Sequence, residues 1–432
     1  MSKRRMHLMA VCTAGPHMGS WLHPESENRY FDAEWWGDLA RTLERARFDA
    51  IFFADVQTFY AEEMMRKGGD LYLLDPVPLA ASIAARTERI GIGITISTSL
   101  VEPYAIARSM QTLDVLSRGR VAWNVVTSSN QREARVYGRE ALLPKAERYD
   151  RADEAVEACM RLWESFPAEA LVADQSRNLY IDPERLVPVD YRGEHVSTNG
   201  VLAIPPGPQG RPVIMQAGAS PRGRDFAAKW SEIIFTYGRS RDGMRAFRAD
   251  MERRFVAAGR SPEECRILPA VQAIVGETEE IARARHAYLF SLIDVDVSVA
   301  RAAEYIGFDL TALDPNSRID DIDLSEVARG GASDIFFDTM RDEGYTIGET
   351  AQRFSFNYLG PEFVGTPEQV ADQMEEVFDT WGIDGFILAP SVMPGSFEDF
   401  ARMVVPILQR RGLVRSEYTG TTLRDHLAQR DG

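Results

Sequence analysis

Six histidines, His7, His17, His23, His195, His286 and His426, are scattered through the chain with no HxH or HExxH spacing. A zinc or di-metal site needs ligands repeated on one face, so no metal is expected. Cys12, Cys159 and Cys265 form no CxxC pair, and no GxSxG elbow presents a serine. What remains is a set of short polar clusters, each following an apolar run. His17 follows Leu8–Val11, and Asp55 follows Ala50–Ala54. Thr95 to Ser99 close the run Ile90–Ile96. Asn124, then Thr127-Ser128-Ser129, close Val121–Val126. Gly218-Ala219-Ser220 follow Pro212–Ala217, and Tyr237 ends Glu232–Tyr237. The set is rich in hydroxyls and amides and poor in acid/base pairs. Such groups suit holding a polar cofactor better than hydrolysis.

One cluster has a more specific form. Gln216-Ala217-Gly218-Ala219-Ser220 joins an apolar run to a helix start, where free N–H groups and the helix dipole attract an anion. Two readings stand: a phosphate seat, or a plain serine N-cap. Arg148 and Tyr149 open another helix and offer further donors, or packing in the case of Tyr149. Gly91-Ile92-Gly93 lacks the third glycine of a dinucleotide fingerprint and reads as strand packing.

The polar clusters need a frame that brings run ends together. Near-continuous apolar runs alternate with helical stretches at Ala33–Arg45, Pro76–Arg86, Pro103–Leu116, Tyr149–Trp163, Asp242–Ala258, Thr278–Leu292 and Phe397–Gln409. With Ile267–Val275 and Gly385–Ala389 the runs number eight. Buried strands alternating with helices mean a parallel sheet covered on both faces. A (β/α)8 TIM barrel removes both sheet edges and gathers the run ends at one mouth; a doubly wound open sheet is the alternative. The whole of 1–432 is expected to be one barrel domain. Two insertions, about 167–210 and 295–360, are expected at the C-terminal face of the strands. The first holds a hairpin turn expected at Asn199-Gly200; the second is long, polar and poorly periodic. The tail 413–432 is expected to pack loosely or serve an interface.

The net charge of −16 disfavours nucleic acid and anionic membrane as partners. The basic start is followed by an apolar run that breaks at Gly15-Pro16, too short for a signal peptide. With sparse, unpaired cysteines, the expectation is a cytoplasmic protein.

Several stretches resemble the bacterial-luciferase-like flavin-dependent monooxygenases. The group concerned includes nitrilotriacetate monooxygenase component A, dibenzothiophene-sulfone monooxygenase and pristinamycin IIA synthase. The matching residues are Phe48–Asp55, Ile96–Ser99 with Glu102-Pro103-Tyr104, Ser117–Arg120, Trp123–Ser128, Glu147-Arg148-Tyr149, Gln216–Ser220 and Phe363–Ala371. The resemblance runs from about residue 6 to 410. It implies a two-component monooxygenase that takes reduced FMN from a separate NAD(P)H:flavin reductase. With O2 as co-substrate, it would oxygenate a small organic molecule through a C4a-(hydro)peroxyflavin. Flavin-ring contacts carry over to Asp55, Thr95 and Asn124, and phosphate contacts to Tyr149 and Ser220. Where the family has a phosphate-binding histidine, this chain has Lys145, which can pair with phosphate as a point charge. His17 falls where the family lines the oxygenation pocket, giving it a catalytic or a structural reading. A homodimer or homotetramer is implied. The alternatives are an F420-dependent oxidoreductase on the same barrel and a non-catalytic flavin-binding protein.

Overall fold

The computed structural model describes residues 4–15, 18–59, 62–218, 220–325, 327 and 332–428. Parallel strands β1 (His7–Cys12), β2 (Ala50–Phe53), β3 (Gly91–Ser97), β4 (Val121–Val126), β5 (Val213–Gln216), β6 (Ile233–Thr236), β7 (Arg266–Val275) and β8 (Gly385–Ala389) pair in chain order. The pairing of β8 with β1 closes the barrel. A ninth strand, Glu362–Gly365, extends the far half of β7. The eight apolar runs are thus the eight barrel strands.

Period-two alternation decides which side chains enter the barrel. Ile92, Ile94 and Ile96 of β3, and Val121, Trp123 and Val125 of β4, pack outward under the helices. Their neighbours Thr95 and Asn124 therefore point inward, side by side in register. Phe52 also points inward, with Ala50, Met9, Ala122 and Met215. Gly93 makes room for it: a Cβ there would lie 3.1 Å from the Phe52 ring. Gly91 sits against Asp49 and Leu423, so both glycines serve strand packing.

Two expectations about the connecting segments need correction, and a third segment has structure that its sequence left unread. First, the tail does not pack loosely. Leu423 and Leu427 enter the interior cluster of the barrel. Arg415 reaches the buried Asp49 at 2.6 Å, and Asp49 also pairs with His7. Burial alone would raise the Asp49 carboxyl, but Arg415 and His7 hold it down, at about 2. An apolar face hidden in a polar-looking stretch, plus one buried ion pair, secures the segment.

Second, the Asn199-Gly200 pair is not a turn. It lies within a strand of the hairpin Val189–Arg192/Ser197–Gly200, with Asp190 opposite Asn199. The turn is Gly193–Val196. There the Glu154 carboxylate accepts from the N–H groups of Glu194, His195 and Val196. A side chain from a neighbouring helix outweighs the local turn preference of Asn-Gly. The insertion's hairpin reaches the C-terminal ends of the strands, where Arg151 donates to His195 O and to Thr98 O just past β3, and its last residues return to the other end of the barrel. Gln111 donates to Pro205 O, and Gln209 donates to Val121 O at the start of β4.

Third, the insertion 295–360 is largely helical, with helices Val295–Ile306, Ala332–Glu343 and Ile347–Asn357. They build a cluster of their own around Phe336, Phe337, Met340 and Phe354. No described helix is long and apolar enough to cross a membrane.

Candidate active site

A cavity of about 410 Å³ opens at the C-terminal ends of the barrel strands. Asp55, Thr95, Asn124, Lys145, Tyr149 and Ser220 all line it. Residues far apart in sequence are brought together because each lies at a strand end or a helix start. His17 lies outside the described residues, as does Ala219. No described residue of 167–210 lines the cavity, whereas Tyr305, Ile335 and Tyr358 of the second insertion do.

The side formed by β2 to β5 is polar. Thr95 donates its hydroxyl proton to Phe53 O at 3.0 Å, so its oxygen accepts from Asn124 Nδ2 at 2.9 Å. That chain of bonds orients the amide, leaving Asn124 Oδ1 buried without a partner among the described residues. Gln216 Oε1 and Arg148 Nε are likewise buried and unpartnered there. Buried polar atoms are rarely left so. Asp55 is half-buried. Burial, then the nearby carboxylates Asp75 and Glu133, push its carboxyl up to about 7. At neutral pH it presents a donor about as readily as an acceptor.

Two helix starts meet on this side. Helix Lys145–Glu164 begins four residues earlier than the sequence pattern suggests, placing Lys145 at its first position. Helix Pro221–Trp230 is capped by Ser220, whose hydroxyl accepts from Gly223 N–H at 3.2 Å. Both readings of Ser220 therefore coexist in one residue: it caps the helix and faces the cavity. The Tyr149 hydroxyl sits among Ser220, Gln216 and Gly218, and burial raises it while Ser220 and Gln216 favour its charged form. It is wedged in place because Gly218 and Gly223 lack side chains. A Cβ at either would come within 2.9 and 2.8 Å of the hydroxyl. Lys145 is exposed, and Arg148 is half-buried.

The other side, built from Phe52 of β2, from β6 and from the second insertion, is aromatic. Phe52, Phe235, Tyr237, Tyr358 and Tyr305 form a ladder of ring contacts. Its centre is the stacked pair Tyr237–Tyr358, with centroids 4.8 Å apart. Sequence reasoning found Tyr237 as a strand-end residue but missed Tyr305 and Tyr358, which sit in a segment without readable periodicity. Gln216 was visible within its cluster yet carried no assigned role. The three cysteines are buried, and burial raises their thiols, Cys265 to about 12; none lines the cavity.

Comparison with known proteins agrees with this picture. The family model for luciferase-like monooxygenases matches residues 11–385. A dibenzothiophene-sulfone monooxygenase of Rhodococcus erythropolis (strain XP) is 40% identical, over 99% of this chain and 97% of its own length. Nitrilotriacetate monooxygenase component A of Aminobacter aminovorans is 36% identical, over 96% and 94%. A riboflavin lyase solved with modified FMN and its substrate riboflavin superimposes with a TM-score of 0.86. It is 30% identical, over 98% of this chain and 96% of its own.

Proposed function

This chain belongs to the luciferase-like monooxygenases, flavin-dependent enzymes, and on that premise we propose that its cavity seats reduced FMN with the phosphate at the two helix starts. The observation that carries the reading is a set of buried atoms around one cavity, Asn124 Oδ1, Gln216 Oε1 and Arg148 Nε, that have no partner among the described residues. A ligand carrying both donors and acceptors would satisfy them.

In this reading Ser220, Tyr149 and Lys145 hold the phosphate, helped by the positive ends of helices Lys145–Glu164 and Pro221–Trp230. Lys145 takes the part of the family's histidine as a mobile point charge. Asn124, oriented by Thr95, accepts from the flavin ring, and Asp55 exchanges donor and acceptor roles at the ring edge. Reduced FMN supplies the activation of O2, and the organic substrate is oxygenated. The chain's own part is to bind, orient and exclude water. A separate NAD(P)H:flavin reductase delivers the cofactor.

The test is anaerobic titration with FMNH2. Two bonds to a charged phosphate contribute roughly 1.5–3 kcal/mol each. The variant Ser220→Ala/Tyr149→Phe should therefore bind at least about 100-fold more weakly. Unchanged affinity would remove the phosphate assignment.

A further inference from the structure

Resting on the flavin reading above, we propose that the aromatic side of the cavity selects an uncharged, planar aromatic substrate over a carboxylate-bearing one. The first argument is shape. The ladder Phe52–Phe235–Tyr237–Tyr358–Tyr305 runs from the barrel interior up into the insertion. Tyr237, Tyr305 and Tyr358 are half-buried, so each keeps ring surface open to the cavity. A flat ring entering here extends a stack already begun by the Tyr237–Tyr358 pair. Offset-stacked and edge-to-face contacts reward aromatic ligands beyond simple burial.

The second argument is charge. The described cations lining the cavity are Lys145 and Arg148, both on the polar side. The guanidinium behind the aromatic ladder belongs to Arg301, which is fully buried and salt-bridged to the buried Asp70. It lies 4.4 Å from the Tyr358 ring centroid and 5.2 Å from that of Tyr305. Asp70 also accepts from the Tyr358 hydroxyl at 3.2 Å. The pair therefore fixes the tyrosine wall from behind. Turning Arg301 toward a ligand would strand the buried Asp70 carboxylate, a costly exchange. Among the described residues of this side, an incoming carboxylate thus meets desolvation without a countercharge. An uncharged ring meets matching surface.

The test is calorimetric titration of 9-fluorenone, an uncharged planar tricycle, and of nitrilotriacetate, a tricarboxylate. Each is titrated into the full chain with and without saturating FMN, using wild type, Tyr237→Phe and Tyr237→Leu. With FMN bound, fluorenone should bind at least about tenfold more tightly than nitrilotriacetate. Tyr237→Phe should preserve that affinity. Tyr237→Leu, which keeps the apolar bulk but loses the ring, should weaken fluorenone about fivefold or more. Nitrilotriacetate binding as tightly as fluorenone would overturn the proposal. So would an unchanged affinity in Tyr237→Leu, which would mean a merely greasy wall. FMN affinity is read separately in the same series. Failure of FMN to bind strikes the flavin reading; failure of fluorenone against FMN-loaded protein strikes the substrate class alone.

Discussion

The two sides of the cavity are built by different means. The polar side is made of strand ends and helix starts, where fold geometry itself presents side chains and free N–H groups. The aromatic side is made by convergence of β2, β6 and a helical insertion, held by the buried pair Asp70–Arg301. The first kind of site follows from position in the barrel. The second depends on packing between segments some 300 residues apart in the chain (Phe52 and Tyr358). Binding of a shared cofactor fits the first, and a substrate peculiar to this chain fits the second.

The largest perturbation should fall on the aromatic side. Arg301→Met leaves the buried Asp70 carboxylate without its countercharge, at a cost of about 3–5 kcal/mol. Chemical denaturation should show that loss, while the folded fraction keeps its FMN affinity. If FMN affinity falls in step with stability, the two sides are not separable.

On the polar side, Ser220→Asp separates the cap from the phosphate seat. Aspartate caps helices well and suits their positive end, so thermal stability should hold or rise. FMN affinity should nonetheless drop, by at least about tenfold, because the new charge faces the phosphate and one favourable bond is lost. Retained affinity would reduce Ser220 to a cap.

A smaller effect concerns Asp55. Its folded carboxyl titrates near 7, above the ordinary 3.8. A raised acid favours the folded state fully below the unfolded value, and that contribution is lost as pH rises through about 7. Asp55→Asn should therefore gain stability relative to wild type between about pH 4 and 8, by on the order of 1 kcal/mol after solvent screening. Parallel melting curves across that range would contradict the burial argument. The smallest effect is expected for Lys145→Met. An exposed cation contributes ~0.5 kcal/mol, so FMN should weaken two- to threefold at low salt, and the difference should shrink at high salt.

Much of the polar side was legible in the sequence, for a physical reason. Thr95, Asn124, Asp55 and Ser220 stand out as polar residues at the ends of apolar runs, and their cofactor roles come from the family resemblance. The barrel followed from eight apolar runs. The gaps lie where long-range contacts override local signals. Glu154 relocates the turn expected at Asn199-Gly200. Leu423 and Leu427 seat a tail that looks polar residue by residue. The capping box Thr346/Glu349 starts a helix inside a stretch without clear periodicity. Tyr305 and Tyr358 gain meaning only once Arg301 brings them together.

The central claim is that the two helix starts hold a phosphate. Comparing FMN with riboflavin, which shares the ring but lacks the phosphate, tests it most directly. Wild type should bind FMN at least about 100-fold more tightly, and the gap should nearly vanish in Ser220→Ala/Tyr149→Phe. Equal affinity of wild type for FMN and riboflavin would contradict the account.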